Sequence, residues 1–200
     1  MKRSRAPKPI LIAIVSMLAF SMIAFTAAPV AAKEPWRGRA AEDLAAKLTT
    51  CIRAGGHVTV AGTCKGWGKG IYAKKLEPLR RSEAISNKVS APWAKRSAKW
   101  YGTNRCWIGH RRYGSTVDKR FAAVGLRHID NGENMGCGMY GSGKQTVIRI
   151  IRMWQAEKSY GGPHWRQIRD KDFKSFGVAV ARYGNRKAQI VMNFYGKSIP

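Results

Sequence analysis

Four residues stand out among those in this sequence that could accept protons or bind a cation. Glu133, Glu157 and His164 fall within one stretch, residues 132–176, and His110 lies upstream in Ile108-Gly109-His110. Two neutral imidazoles with carboxylates and water can complete a four-coordinate site for a divalent metal, zinc foremost. Equally, a glutamate beside a histidine can act as a base on a water molecule, as a hydrolase requires. The chain has no nucleophile elbow and no His-Glu-x-x-His pair, and Gly141-Ser142-Gly143-Lys144 lacks the spacing of a phosphate-binding loop.

The elements that must position these residues follow from hydrophobic periodicity. After Gly143, Val147, Ile150, Ile151 and Trp154 form the apolar stripe of a helix, with Arg149, Arg152 and Gln155 off that face. Glu157 continues the stripe. A carboxylate there points coreward and sits near the helix C-terminus, where the macrodipole disfavours an anion, so a cation or hydrogen-bond donor is expected to face it. His164, just past Gly161-Gly162-Pro163, can fold back to provide one. Glu133 is read as part of a Gly-bounded turn, Gly132-Glu133-Asn134, presenting its side chain into a groove.

Downstream, residues 176–182 and 188–195 alternate as two strands joined through Gly184-Asn185, a hairpin signal. The small Gly177, Ala179 and Ala181 share one face and leave room for a close-packed helix. Upstream, Leu44, Leu48 and Ile52 predict a helix over 40–53, ended by Gly55-Gly56 and followed by a Gly-rich loop over 57–71. Ser82 caps a further helix carrying Ile85, Val89, Trp93 and Trp100, which Pro92 should kink or restart. A loop over 101–114 then carries Cys106 and His110, Thr116 caps a short helix over 117–123, and 124–129 is read as extended. Helices before and between strands, with an antiparallel hairpin at the end, imply an α+β layered domain.

Residues 1–32 read as a signal peptide: Lys2, Arg3, Arg5 and Lys8 precede an apolar run over 10–28, and Val30-Ala31-Ala32 offers small residues for cleavage. The run is almost long enough to be an uncleaved membrane anchor instead. Either way the rest is expected outside the cytoplasm, secreted or periplasmic, with 33–39 a short linker and 40–200 the domain. All four cysteines lie in that exported part, and an even count in an oxidising compartment favours two disulfides. Of three possible pairings, sequence proximity favours Cys51–Cys64 and Cys106–Cys137.

The chain has 37 Lys and Arg against 11 Asp and Glu, a formal charge of +26; taking away the leader's four basic residues leaves +22. Such a charge attracts anionic phospholipid, acidic wall polymer or nucleic acid, and does not choose among them. Nucleic acid is disfavoured by export and because Trp93 and Trp100 are better used as core than as stacking platforms.

In order, Ile108-Gly109-His110, Gly132-Glu133-Asn134, Trp154-Gln155-Ala156-Glu157, Gly162-Pro163-His164-Trp165-Arg166-Gln167-Ile168 and Phe176-Gly177-Val178-Ala179 resemble the motifs of the CAP superfamily (cysteine-rich secretory proteins, venom antigens, pathogenesis-related proteins), most of all its bacterial extracellular branch. The resemblance spans residues 40–196. It implies a three-layer α-β-α sandwich with a small antiparallel sheet, and a surface cleft holding the tetrad His110, Glu133, Glu157 and His164, with His57 and His128 as competitors for the first position. It also implies zinc or another divalent metal on His110 and His164 in some members, a sterol or fatty acid in others, and peptidase-like hydrolysis, with Glu133 or Glu157 catalytic, in a few. Fold does not choose among these. A binding protein of the cell envelope is favoured, with a metal-assisted hydrolase as the alternative.

Overall fold

The computed structural model describes residues 36–66, 76–103, 105–106, 108–112, 114–126, 129–184 and 186–199. The leader expected over 1–32, the start of the expected linker, and His128 lie outside them. In chain order the elements are β1 (Trp36–Arg37), α1 (Arg39–Arg53), β2 (Gly56–Val58), β3 (Cys64–Gly66), β4 (Arg80–Arg81), α2 (Glu83–Ile85), a π-turn (Ser86–Ser90), α3 (Ala91–Thr103), α4 (Val117–Ala122), β5 (Asn131–Gly138), α5 (Gly143–Ala156), a 3-10 turn (Glu157–Ser159), α6 (Pro163–Ile168), β6 (Ser175–Tyr183) and β7 (Lys187–Tyr195).

The hairpin β6–β7 is the centre of the sheet, in register from Ser175↔Tyr195 to Tyr183↔Lys187. β5 pairs antiparallel with the far side of β7, while β1 and β4 lie along the far side of β6, so β5 forms one edge. Alternation decides which residues face which layer. Val178, Val180, Ile190, Met192 and Phe194 pack under α1 and α5, against Leu48, Ile52, Val147, Ile151 and Trp154. Ala179, Ala181 and Val191 take the other face, under Trp93, Ala94 and Ala98 of α3. The result is the α+β, three-layer sandwich expected. A Cβ on Gly177 would stand 2.4 Å from the Ser86 backbone nitrogen, so only glycine lets the π-turn sit that close to β6.

Capping sets the helix starts. The hydroxyls of Ser82, Thr116 and Ser142 accept from the backbone N–H of Ile85, Lys119 and Gln145. Both expected disulfides form, Cys51–Cys64 and Cys106–Cys137.

Several local expectations are corrected. Gly132, Glu133 and Asn134 are not a turn: they lie within β5, where pairing with β7 overrides the weak strand propensity of a Gly- and Asn-rich segment. The Gly-rich loop contains the antiparallel pair β2–β3, closed by Cys51–Cys64. Val124 and Gly125 belong to the turn that ends α4, with Gly125 at φ +79, rather than to an extended segment. Trp36 and Arg37, expected in a linker, pair with Arg182 and Ala181 of β6. By contrast, the expected restart at Pro92 is seen: α3 opens at Ala91, directly after the π-turn, with Pro92 in its first turn, where a missing N–H costs no intrahelical bond.

Arg53, on the last turn of α1, is buried and fixes where α6 ends. Its Nε donates to the Glu77 carbonyl (2.9 Å), and Nη1 donates to the carbonyls of Ile168 (2.8 Å) and Asp170 (2.7 Å). Arg169 returns the arrangement, donating from Nη1 to the carbonyls of Ile52 and Arg53 at the end of α1. Burial, then the neighbouring Arg169, push the Arg53 pKa down to about 10, with Asp170 opposing, so it stays charged at neutral pH. Arg53→Ala would take the donor from three carbonyls, that of Ile168 buried and those of Glu77 and Asp170 partly so, and is expected to cost about 3 kcal/mol. Urea denaturation measures it, and an unchanged midpoint would remove Arg53 from this role.

Candidate functional site

Glu133 and Asn134 are neighbours on the edge strand β5, so they face opposite sides of the sheet. One His–Glu pair is built on each side.

On the α3 side, Glu133 is fully buried. Its Oε1 lies 2.9 Å from His110 Nδ1; its Oε2 accepts from Arg120 Nη2 (2.5 Å) and Asn193 Nδ2 (2.9 Å). Ser90 Oγ donates in turn to Asn193 Oδ1 at 2.9 Å. Arg120 comes from α4. It reaches the His110 carbonyl from Nη1 (3.3 Å), and its guanidinium lies 4.1 Å from the Trp93 ring centroid. A carboxylate without water needs such partners, and Arg120 supplies the compensating charge. The loop carrying His110 is tied down beside this strand, since Cys106 is bonded to Cys137 of β5.

On the α5 side, Glu157 ends its helix as expected from the stripe, and the donors it needs are present. Its Oε1 lies 2.5 Å from His164 Nδ1, and its Oε2 accepts the backbone N–H of His164 (2.8 Å) and Trp165 (3.3 Å). The carboxylate thus caps α6, whose N-cap residue is Gly162 and has no side chain to do so. The His164 ring stacks on Trp154 at 5.5 Å, and Asn134 Nδ2 donates to the His164 carbonyl at 3.0 Å, linking this pair to β5. A Cβ on Gly162 would stand 2.6 Å from Glu157 Oε2. Gly162→Ala should therefore displace the carboxylate and destabilise by about 1–3 kcal/mol. A thermal melt unaltered by the substitution would show that the cap tolerates displacement.

The chemistry of the two pairs is the same. A carboxylate only accepts, so each Nδ1 carries the proton it shares, and in the neutral ring each Nε2 keeps a lone pair. The His110 side chain is 43% exposed and that of His164 21%, so solvent reaches both rings. Every carboxylate oxygen of Glu133 and Glu157 already accepts from N–H groups, which makes the glutamates orienting groups. Among the described residues, no group of three or more His, Cys, Asp or Glu side chains could hold a metal ion. His57, the other competitor for the first position, lies on β2. Sequence reasoning missed Arg120 and Asn193. The one usable signal for Arg120 was a glutamate destined for burial, which requires a cation.

The sequence profile of the CAP family, described as the cysteine-rich secretory protein family, matches residues 52–195. The chain belongs to the CAP family. Among solved structures, NaASP2 with Zn2+ is 14% identical over 79% of this chain and 80% of its own, with a TM-score of 0.50. An outer surface protein from Borrelia burgdorferi is 19% identical over 61% of this chain and 80% of its own, with a TM-score of 0.45. The CAP domain of Enterococcal PrgA is 17% identical over 80% of this chain and 63% of its own, with a TM-score of 0.40. Comparison with curated proteins finds no match. Among the described residues of this CAP protein, no helix is long and apolar enough to cross a membrane.

Proposed function

We propose that the two His–Glu pairs flank one cleft that holds a divalent cation, zinc by its donor chemistry, in an exported CAP-domain binding protein of the bacterial cell envelope. The observation that carries this is the matched engagement of both Nδ1 atoms by buried or half-buried carboxylates. That is the carboxylate–histidine arrangement that fixes the tautomer and raises the basicity of a metal ligand. His110 and His164 would hold the ion through Nε2, Glu133 and Glu157 would orient them, and water or a small ligand would complete the shell. Bound zinc would supply Lewis acidity to an oxygen of that ligand. NaASP2, whose fold is similar, has been crystallised with Zn2+.

A hydrolase would need one glutamate to take a proton from water. The occupied oxygens of both glutamates support binding over turnover. Calorimetric titration of zinc into the protein tests the proposal: one ion per chain is expected, and an absence of heat at micromolar zinc would reject it.

The +22 charge expected after cleavage supports retention on anionic wall or lipid. Binding to either should weaken steeply between low and physiological salt as the screening length shrinks. Co-sedimentation that did not change with salt would remove the electrostatic account.

A further inference from the structure

Five large hydrophobic side chains stand out in solvent among the described residues: Val60, Ile108, Met139, Met153 and Tyr160. Three of them, Val60, Met139 and Met153, line two adjoining depressions of about 470 and 560 Å³ on the outer side of α5, which share Val60, Tyr140 and Arg149. Arg149 and Arg152 are the charged residues of the lining, and among the described residues no acidic side chain lines it.

This apolar surface is braced. The tip of the β2–β3 hairpin, which carries Val60, sits so close to α5 that a Cβ on Gly62 would stand 2.5 Å from Ile148 Cδ1. Gln155 of α5 accepts from the Val58 N–H (2.6 Å), and Cys51–Cys64 ties the turn end of β3 to α1. The fold therefore uses rigid structure to hold Val60 out in water, at 75% exposure. Apolar side chains whose only charged neighbours in the lining are arginines suit an interface that is apolar below and anionic above.

From this we propose that the groove between α5 and the β2–β3 hairpin is a docking face for an anionic phospholipid bilayer. Val60, Met139 and Met153 enter the interfacial layer, and Arg149 and Arg152 meet the headgroup phosphates. An acidic polymer would use the arginines but not the apolar side chains, and an acidic protein partner would meet a rim that offers it two charges. This docking face rests on the anionic-surface part of the proposed function and is independent of the His–Glu cleft.

The two exposed methionines report on it directly. Met139 and Met153 are 56% and 57% exposed, whereas Met135 and Met192 are fully buried and serve as internal controls. The full chain is treated with hydrogen peroxide alone, with phosphatidylcholine vesicles, and with phosphatidylglycerol vesicles, and sulfoxide formation at each methionine is read by mass spectrometry. Severalfold slower oxidation of both Met139 and Met153 with phosphatidylglycerol alone is expected. Arg149→Glu/Arg152→Glu should abolish that protection and weaken the phosphatidylglycerol-specific binding by roughly tenfold or more. Sedimentation with phosphatidylglycerol vesicles while both methionines oxidise at the free rate would overturn this face and leave the general electrostatic reading standing. Failure to prefer phosphatidylglycerol over phosphatidylcholine would overturn both. Equal protection by a soluble acidic polymer, or protection that grows with protein concentration without vesicles, would assign the face to another partner and reject the proposal.

Discussion

Arg120→Ala is expected to destabilise the fold by about 3–5 kcal/mol, because it leaves the fully buried carboxylate of Glu133 without its compensating charge. The loss should be far smaller in a Glu133→Gln background, where no anion is stranded, and the difference is the coupling between the two residues. Arg120→Lys should recover part of the loss, since an ammonium restores the charge without the guanidinium plane that covers Trp93. Denaturant unfolding of the four proteins of the cycle measures this. An equal cost in both backgrounds would mean that Arg120 contributes through packing on Trp93 and not through Glu133.

The second large effect concerns cation binding. If His110 and His164 share one zinc ion, His110→Ala and His164→Ala should each weaken zinc binding by more than about 100-fold, since each removes a ligand outright. Glu133→Gln and Glu157→Gln remove only the orienting acceptor, for which a loss of about 10–100-fold is expected. The Glu157 variant should also loosen the start of α6, because its carboxylate accepts two backbone N–H groups there. Hydrogen exchange at His164 and Trp165 separates that local effect from the loss of affinity. Glutamate variants that bind as tightly as the parent would show that the carboxylates do not set the histidines' orientation.

Much of the layered fold was legible because its driving pattern is local. The stripe Val147, Ile150, Ile151 and Trp154 declares both the helix and its buried face, and the alternation of Ile190, Met192 and Phe194 against Val191 declares the two faces of β7. The odd position of Glu157 on that stripe pointed to a nearby donor, and His164 with two backbone N–H groups supplies it. What was not legible depended on contacts distant in sequence. Nothing in Gly132-Glu133-Asn134 itself says strand, and the segment becomes one only against Met192, Asn193 and Phe194 of β7, with Glu133 opposite Asn193. Arg120 is one of 37 basic residues and carries no local mark; its role appears only once α4 lies beside β5. The wide turn before Pro92 is likewise a response to the sheet below, where Gly177 lets the backbone at Ser86 descend.

Whether two His–Glu pairs, mounted on either side of β5, serve one site is tested most directly by crystallographic anomalous scattering at the zinc edge, on crystals grown with zinc. One peak is predicted, bonded to the Nε2 atoms of both His110 and His164 at about 2.0–2.1 Å, with Glu133 and Glu157 still on the Nδ1 side. Separate peaks on the two histidines, or zinc bound elsewhere with neither ring engaged, would contradict it.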